Sequence, residues 1–138
     1  MAETVLIDSG FIVAVLRRRD TYRDWAASQA QKFAPPWNTC EAVLSEVFHI
    51  LDSAGAAALM ALLRRRSVIV SFEFAREQSS VLGLMQKYSD VPMSLADACL
   101  VRMTKVLADR VLLTTDADFH VYRRHSRQVV RCVTPHRQ

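Results

Sequence analysis

Val5-Leu6-Ile7-Asp8-Ser9-Gly10, followed by the run from Phe11 to Arg18, passes from an apolar β-type triplet through a polar turn into the spacing of a helix. Strand, turn and helix then recur along the chain. Residues 22–32 read as a second helix, stopped by Ala34-Pro35-Pro36 ahead of a short extended piece, Trp37-Asn38-Thr39. Residues 40–52 place Val43, Leu44, Val47, Phe48, Ile50 and Leu51 on one helical face, and a helix of small residues covers 54–66. Val68-Ile69-Val70 reads as a buried strand, and residues 74–88 as a helix broken at Asp90-Val91-Pro92. Ser94 opens a helix to about residue 108. Val111-Leu112-Leu113-Thr114 is the next strand, residues 118–124 a short helix, and residues 128–133 a last edge strand. Strands separated by helices need crossovers, so the expected fold is a three-layer α/β/α sandwich with a mainly parallel central sheet.

The size agrees with that reading. A chain of 138 residues is expected to form one domain spanning 1–138. With 51% hydrophobic residues, Gly 3 and Pro 4, disorder and low-complexity linkers are excluded. Cys40, Cys99 and Cys132 are odd in number and lack zinc-ligand spacing, which fits a reducing cytoplasm. The most apolar stretch, residues 54–63, is about half the ~20 residues a bilayer requires. Near the N-terminus Arg17, Arg18 and Arg19 follow the apolar run, the reverse of a secretory signal. The expectation is therefore a cytoplasmic protein with no membrane association.

In open parallel sheets, sites form beyond the carboxyl ends of the strands. Asp8 and Asp116 fall there. Asp97 lies three residues into a helix and Glu46 about a turn and a half into another, with Asp118 one alternate position beyond Asp116. All but Glu46 have a plainer explanation. Asp8, Asp116 and Asp118 are suited to cap helices, and Ser94-x-x-Asp97 resembles a capping box. Glu46 resists that explanation: it sits between Val43 and Ile50 on an apolar stripe with no cation at i−4 or i+4, which leaves His49 or a shared metal ion as its partner. Asp97 likewise has Leu100 and Val101 at i+3 and i+4. A cluster of four carboxylates in a partly dehydrated cleft is costly unless cations occupy it. Oxygen ligands select Mg²⁺ or Mn²⁺ over zinc, and ions of this kind promote phosphodiester hydrolysis.

These residues resemble the PIN-domain ribonucleases, in particular the VapC-like toxins of toxin–antitoxin pairs. Leu6-Ile7-Asp8-Ser9, Val43-Leu44-Ser45-Glu46-Val47, Ser94-Leu95-Ala96-Asp97-Ala98 and Leu113-Thr114-Thr115-Asp116-Ala117-Asp118-Phe119 look like the four acidic motifs of that family, in order and over nearly the whole chain. The resemblance implies a metal-dependent endoribonuclease in which Asp8, Glu46, Asp97 and Asp116 are catalytic and hold Mg²⁺ or Mn²⁺, with Asp118 as an auxiliary ligand. Ser9 and Thr115 would position water or a carboxylate. It also implies an antitoxin partner and a homodimer. Residues 88–98 look like a toxin subgroup that often has an acid where Ser94 stands, a departure that removes a charge at the helix start but no proposed ligand.

Lys+Arg 18 against Asp+Glu 14 gives +4, and 15 of the cations are arginines, suited to bidentate phosphate contact. Setting aside the four catalytic candidates leaves 18 cations against 10 acids, a basic shell around an acidic pocket. Arg123, Arg124 and Arg127 are the candidate RNA contacts, beside His120, His125 and His136. The triplets Arg17-Arg18-Arg19 and Arg64-Arg65-Arg66 suit helix C-termini. Trp37, Phe119 and Tyr122 either stack on bases or fill the core. Two other readings stand beside the nuclease. One is a non-catalytic RNA- or protein-binding module of the same fold. The other, an aspartyl phosphatase, is weakened because Gly10 stands where such enzymes place a second Asp.

Overall fold

The computed structural model describes residues 3–120, 122–125 and 128–136, with the backbone alone at 120, 123–125 and 128–129. Its strands are β1 (Thr4–Ile7), β2 (Trp37–Thr39), β3 (Val68–Val70), β4 (Arg110–Leu113), β5 (Arg123–His125), β6 (Gln128–Val129) and β7 (Cys132–Val133). The helices are α1 (Ser9–Leu16), α2 (Arg23–Lys32), α3 (Glu41–Ile50), α4 (Ser53–Arg64), α5 (Phe74–Lys87) and α6 (Leu95–Val106). Together they build an α/β/α sandwich about a central sheet of order β3-β2-β1-β4-β7, in which every pairing is parallel.

A parallel strand covered on both faces must be apolar throughout, and the inner strands meet that demand. Leu6 and Ile7 of β1 lie opposite Leu112 and Leu113 of β4, and all four are fully buried. Phe11, Val43, Leu59, Leu100 and Met103 close over them from the helices. The buried polar residues of β2 are satisfied across the sheet: the Asn38 amide donates to the Val5 carbonyl (3.1 Å) and the Thr39 hydroxyl to the Ile7 carbonyl (2.9 Å). An Arg102–Glu77 ion pair at 2.8 Å ties α6 to α5.

From β1 the chain builds outward to β2 and β3, then returns to add β4 and β7 on the other flank. The direction of winding reverses between β1 and β4, and the helices that follow the two strands leave a crevice above their carboxyl ends. That crevice receives the acidic residues.

Two expectations near the end of the chain are corrected. Residues 118–124 do not form one helix. A 3-10 turn, Ala117–His120, gives way to β5, which pairs antiparallel with β6. Tyr122, immediately before β5, is fully buried, and its carbonyl accepts from the Val130 N–H at 3.3 Å. Residues 128–133 also divide, because Val130 turns into the core and only Cys132–Val133 reaches the edge beside β4. The arginine triplets do end helices, Arg17 capping α1 and Arg65 capping α4.

Candidate functional site

Asp8 is the first residue past β1, and its N–H continues the ladder to the Leu113 carbonyl (3.2 Å). It caps α1, with Oδ1 accepting from the Phe11 N–H at 2.9 Å, while Oδ2 accepts from the Thr114 hydroxyl. The Thr114 oxygen in turn accepts from the Asp116 N–H (2.9 Å), and Asp116 Oδ1 accepts from the Asp118 N–H (2.8 Å). Thus one hydroxyl joins the acids that follow β1 and β4. Thr114 went unremarked in the sequence because a threonine ending an apolar strand is explained by β-propensity alone.

Asp97 arrives from the first turn of α6, where the capping box is complete. Ser94 Oγ accepts from the Asp97 N–H (3.0 Å), and Asp97 Oδ2 accepts from the Ser94 N–H (3.1 Å). The Tyr122 hydroxyl, which donates to the Pro92 carbonyl at 2.7 Å, stands 3.4 Å from the same carboxylate oxygen. Tyr122, Phe119 and Trp37 are buried, which assigns all three to packing.

Glu46 projects from α3 into the crevice, with solvent access. The expected apolar stripe around it is narrower than its spacing suggested: Val43 and Val47 are buried, whereas Ile50 is 46% exposed. Among the described residues Glu46 makes no ion pair, so His49 does not neutralise it.

Asp8, Glu46, Asp97, Asp116 and Asp118 all line one open pocket of about 600 Å³, together with Ser9, Gly10, Ser94 and Thr115. No basic residue lines it among the described residues. Burial pushes Asp8 up from its ordinary 3.8 to about 7, against the stabilising donors Thr114 and Phe11 and with help from the charges of Asp116 and Asp97. Asp97 rises to about 6, chiefly through desolvation, with repulsion from Asp116 and Glu46 adding to it. Glu46 and Asp118 are also raised by desolvation, Asp118 further by Asp116.

The pocket wall is set by a close approach at Gly10. A Cβ there would fall 1.9 Å from Thr115 Oγ1, so only glycine lets α1 start against the loop after β4. From behind, His136 Nε2 lies 2.5 Å from the Thr115 carbonyl and its ring packs edge-on against Tyr22 (5.5 Å). Of the candidate RNA contacts, Arg127 lies outside the described residues, and Arg123 and Arg124 are placed in β5 by their backbone alone.

Five carboxylates lining one pocket with no basic residue among its described lining make a donor set of hard oxygens in need of positive charge. Among the described residues no three acidic, histidine or cysteine side chains form a ready-made ligand group. Mg²⁺ does not require one, since it commonly binds through one or two carboxylates and keeps several waters. The residues present therefore fit a hydrated hard cation and give no support to zinc. Among the described residues no helix is long and apolar enough to cross a membrane. The PIN domain family profile matches residues 5–124, a span that includes all five acids. No curated protein matches the chain.

Proposed function

The chain belongs to the PIN domain family, whose members are generally nucleases, and on that premise we propose that it is a divalent-metal-dependent endoribonuclease acting as a single cytoplasmic domain. The observation that carries this reading is the convergence of Asp8, Glu46, Asp97, Asp116 and Asp118 on one pocket without a basic neighbour among the described residues. Asp8, Glu46, Asp97 and Asp116 would hold Mg²⁺ or Mn²⁺, with Asp118 as auxiliary ligand. When bound, such an ion supplies Lewis acidity and positive charge at the phosphodiester.

The chain's own groups have distinct parts. Asp8, tied at both oxygens, is a fixed anchor. Asp97 is held by the capping box at the mouth of α6. Glu46, carrying no ion pair among the described residues and open to solvent, is the least tied of the four ligand candidates. Ser9 and Thr115 supply hydroxyls at the wall for orienting water or a carboxylate. Arg123, Arg124 and Arg127 are proposed to meet the RNA phosphates.

The test is RNA cleavage and calorimetric Mn²⁺ binding by folded Asp8→Asn and Asp97→Asn variants. Loss of both by ~10²-fold or more is expected, and wild-type cleavage by both variants would refute the four-acid site. The non-catalytic module draws support from the capping bonds of Asp8 and Asp97, which give both residues a structural duty. Absence of saturable Mn²⁺ binding by the wild type would favour that module.

The toxin role rests on the resemblance of residues 88–98 and of the four acidic motifs to VapC-like toxins. A short neighbouring reading frame encoding a DNA-binding protein, able to suppress growth arrest caused by this chain, is the expected antitoxin. Exposed Ile50, Leu82 and Val106 are compatible with a homodimer, which light scattering would measure directly.

A further inference from the structure

Between Thr115 and Asp116 the backbone of the pocket wall passes through one trans peptide group, and both of its polar ends are held. The atoms of such a group are coplanar, with the carbonyl and the N–H pointing opposite ways. On one side the Asp116 N–H donates to the Thr114 hydroxyl oxygen (2.9 Å), whose own proton goes to Asp8. On the other, the Thr115 carbonyl lies 2.5 Å from His136 Nε2. A carbonyl oxygen only accepts, so Nε2 carries the proton in this contact. Asp116 Cα lies in the same plane, and a plane clamped at both ends fixes the origin from which the Asp116 side chain enters the pocket.

His136 is itself fixed before it reaches Thr115. β7 runs beside β4, where the Thr114 N–H donates to the Val133 carbonyl (3.2 Å). The Thr134 hydroxyl then closes a turn, accepting from the His136 N–H and donating to the His136 carbonyl, both at 3.0 Å. The half-buried ring returns over the loop after β4 and packs edge-on against Tyr22, with centroids 5.5 Å apart. Its Nε2–H is therefore engaged within the protein and is not offered to an RNA phosphate. The five acids of the pocket leave this histidine without a part.

We propose that His136 is a positioning residue for Asp116: by holding the Thr115 carbonyl it fixes the peptide plane between Thr115 and Asp116, and so the direction from which Asp116 meets a divalent cation. This rests on the metal-dependent reading above. His136 touches neither the cation nor RNA and moves no proton. Without its N–H the plane is held at one end alone, and Asp116 is free to turn away from Asp8 and Asp97. Groups that orient a ligand from behind tune metal affinity in this way.

The test compares His136→Leu, which keeps an apolar side chain against Tyr22 but stops short of the Thr115 carbonyl and has no donor, with His136→Gln, whose amide nitrogen takes the place of Nε2. Two quantities are read on the folded full chain: exchange of the Asp116 amide in the metal-free state, by NMR, and calorimetric Mn²⁺ affinity. Leucine is expected to quicken Asp116 exchange about tenfold and to weaken Mn²⁺ binding by ~10-fold or more, and glutamine to keep both near the wild type. A lowered Tm with either quantity unchanged in His136→Leu would make His136 a packing residue and overturn the proposal, as would a glutamine variant that behaves like leucine. Wild-type protein that binds no Mn²⁺ would instead strike the metal-dependent reading, and Asp116 exchange alone then decides whether His136 holds the peptide plane. If His136→Leu does not fold, Thr134→Val, which releases the turn and leaves the ring, is read by the same two quantities.

Discussion

Replacing Asp8 with Asn should make the metal-free protein more stable above neutral pH and flatten its stability against pH. Folding raises the Asp8 pKa from 3.8 to about 7, chiefly by burial. Such a group favours the folded state while it stays protonated. Its contribution is whole below pH 3.8 and is lost as pH rises through about 7. At about 1.4 kcal/mol per pH unit the whole loss is of order 4 kcal/mol. Between about pH 5 and 8 some 2–3 kcal/mol of it disappears, equivalent to about 8 °C in Tm for a chain of this length. Asparagine keeps the local bonding, since its carbonyl can accept from the Phe11 N–H while its amide donates to the Thr114 oxygen. Thermal unfolding in EDTA across this range measures the effect: the wild type should lose about 8 °C more than Asp8→Asn. A residual slope is expected in the variant because Asp97, pushed up to about 6, still titrates. Saturating Mn²⁺ should restore about 3 kcal/mol to the wild type at 100 times its Kd and little to the variant. Equal pH dependence in the two metal-free proteins would refute the assignment of a raised pKa to Asp8.

Thr114→Val removes the hydroxyl shared by Asp8 and the Asp116 N–H; urea unfolding should show a loss of about 1–3 kcal/mol, and the pH profile of cleavage should move to higher pH as Asp8 loses a donor. Gly10→Ala sets a methyl 1.9 Å from Thr115 Oγ1 and should cost about 1–3 kcal/mol, with partial recovery in a Gly10→Ala/Thr115→Ala double mutant; strict additivity in that cycle would contradict the contact. Tyr122→Phe retains the edge-on ring contacts with Tyr88 and Phe119, both at 5.3 Å, but loses the bond to Pro92. Hydrogen exchange over residues 88–94 should quicken with a global cost of only about 1 kcal/mol, and unchanged protection there would count against the Pro92 tether.

The strand triplet at 5–7 could be read directly because a parallel strand covered on both faces leaves no alternation to obscure it. Val68–Val70, expected as a buried strand, is instead the edge of the sheet: Val68 is buried, but Val70 is 42% exposed. The region after Asp116 misled for a related reason. Phe119 and Tyr122 stand three apart, as on one face of a helix, and both are buried, but the chain between them abandons the helix to pair β5 with β6. The choice posed for Asp8 and Asp97, cap or pocket residue, proves false: each accepts from its helix and also lines the pocket. Glu46 was singled out by an apolar stripe that is in part solvent-facing, though its carboxylate does reach the pocket. Thr114 and Gly10 could not be recognised, since their importance lies in partners brought close only by the pairing of β1 with β4.

Pairing β1 with β4 also imposes an order on biosynthesis. Asp8 and Thr114 are 106 positions apart, and their bond spans the middle of the sheet. A polypeptide emerging from the ribosome presents Asp8 long before it has made the strand that buries it. Contacts of such sequence separation form late, after their loop-closure cost can be met. Until then the carboxylates remain solvated, dispersed and of ordinary acidity, so a growing or truncated chain lacking residues 110–116 carries most of the acids without the pocket. Any hydrolytic capacity is thereby withheld from the nascent protein and acquired in one late step, when the centre of the sheet closes.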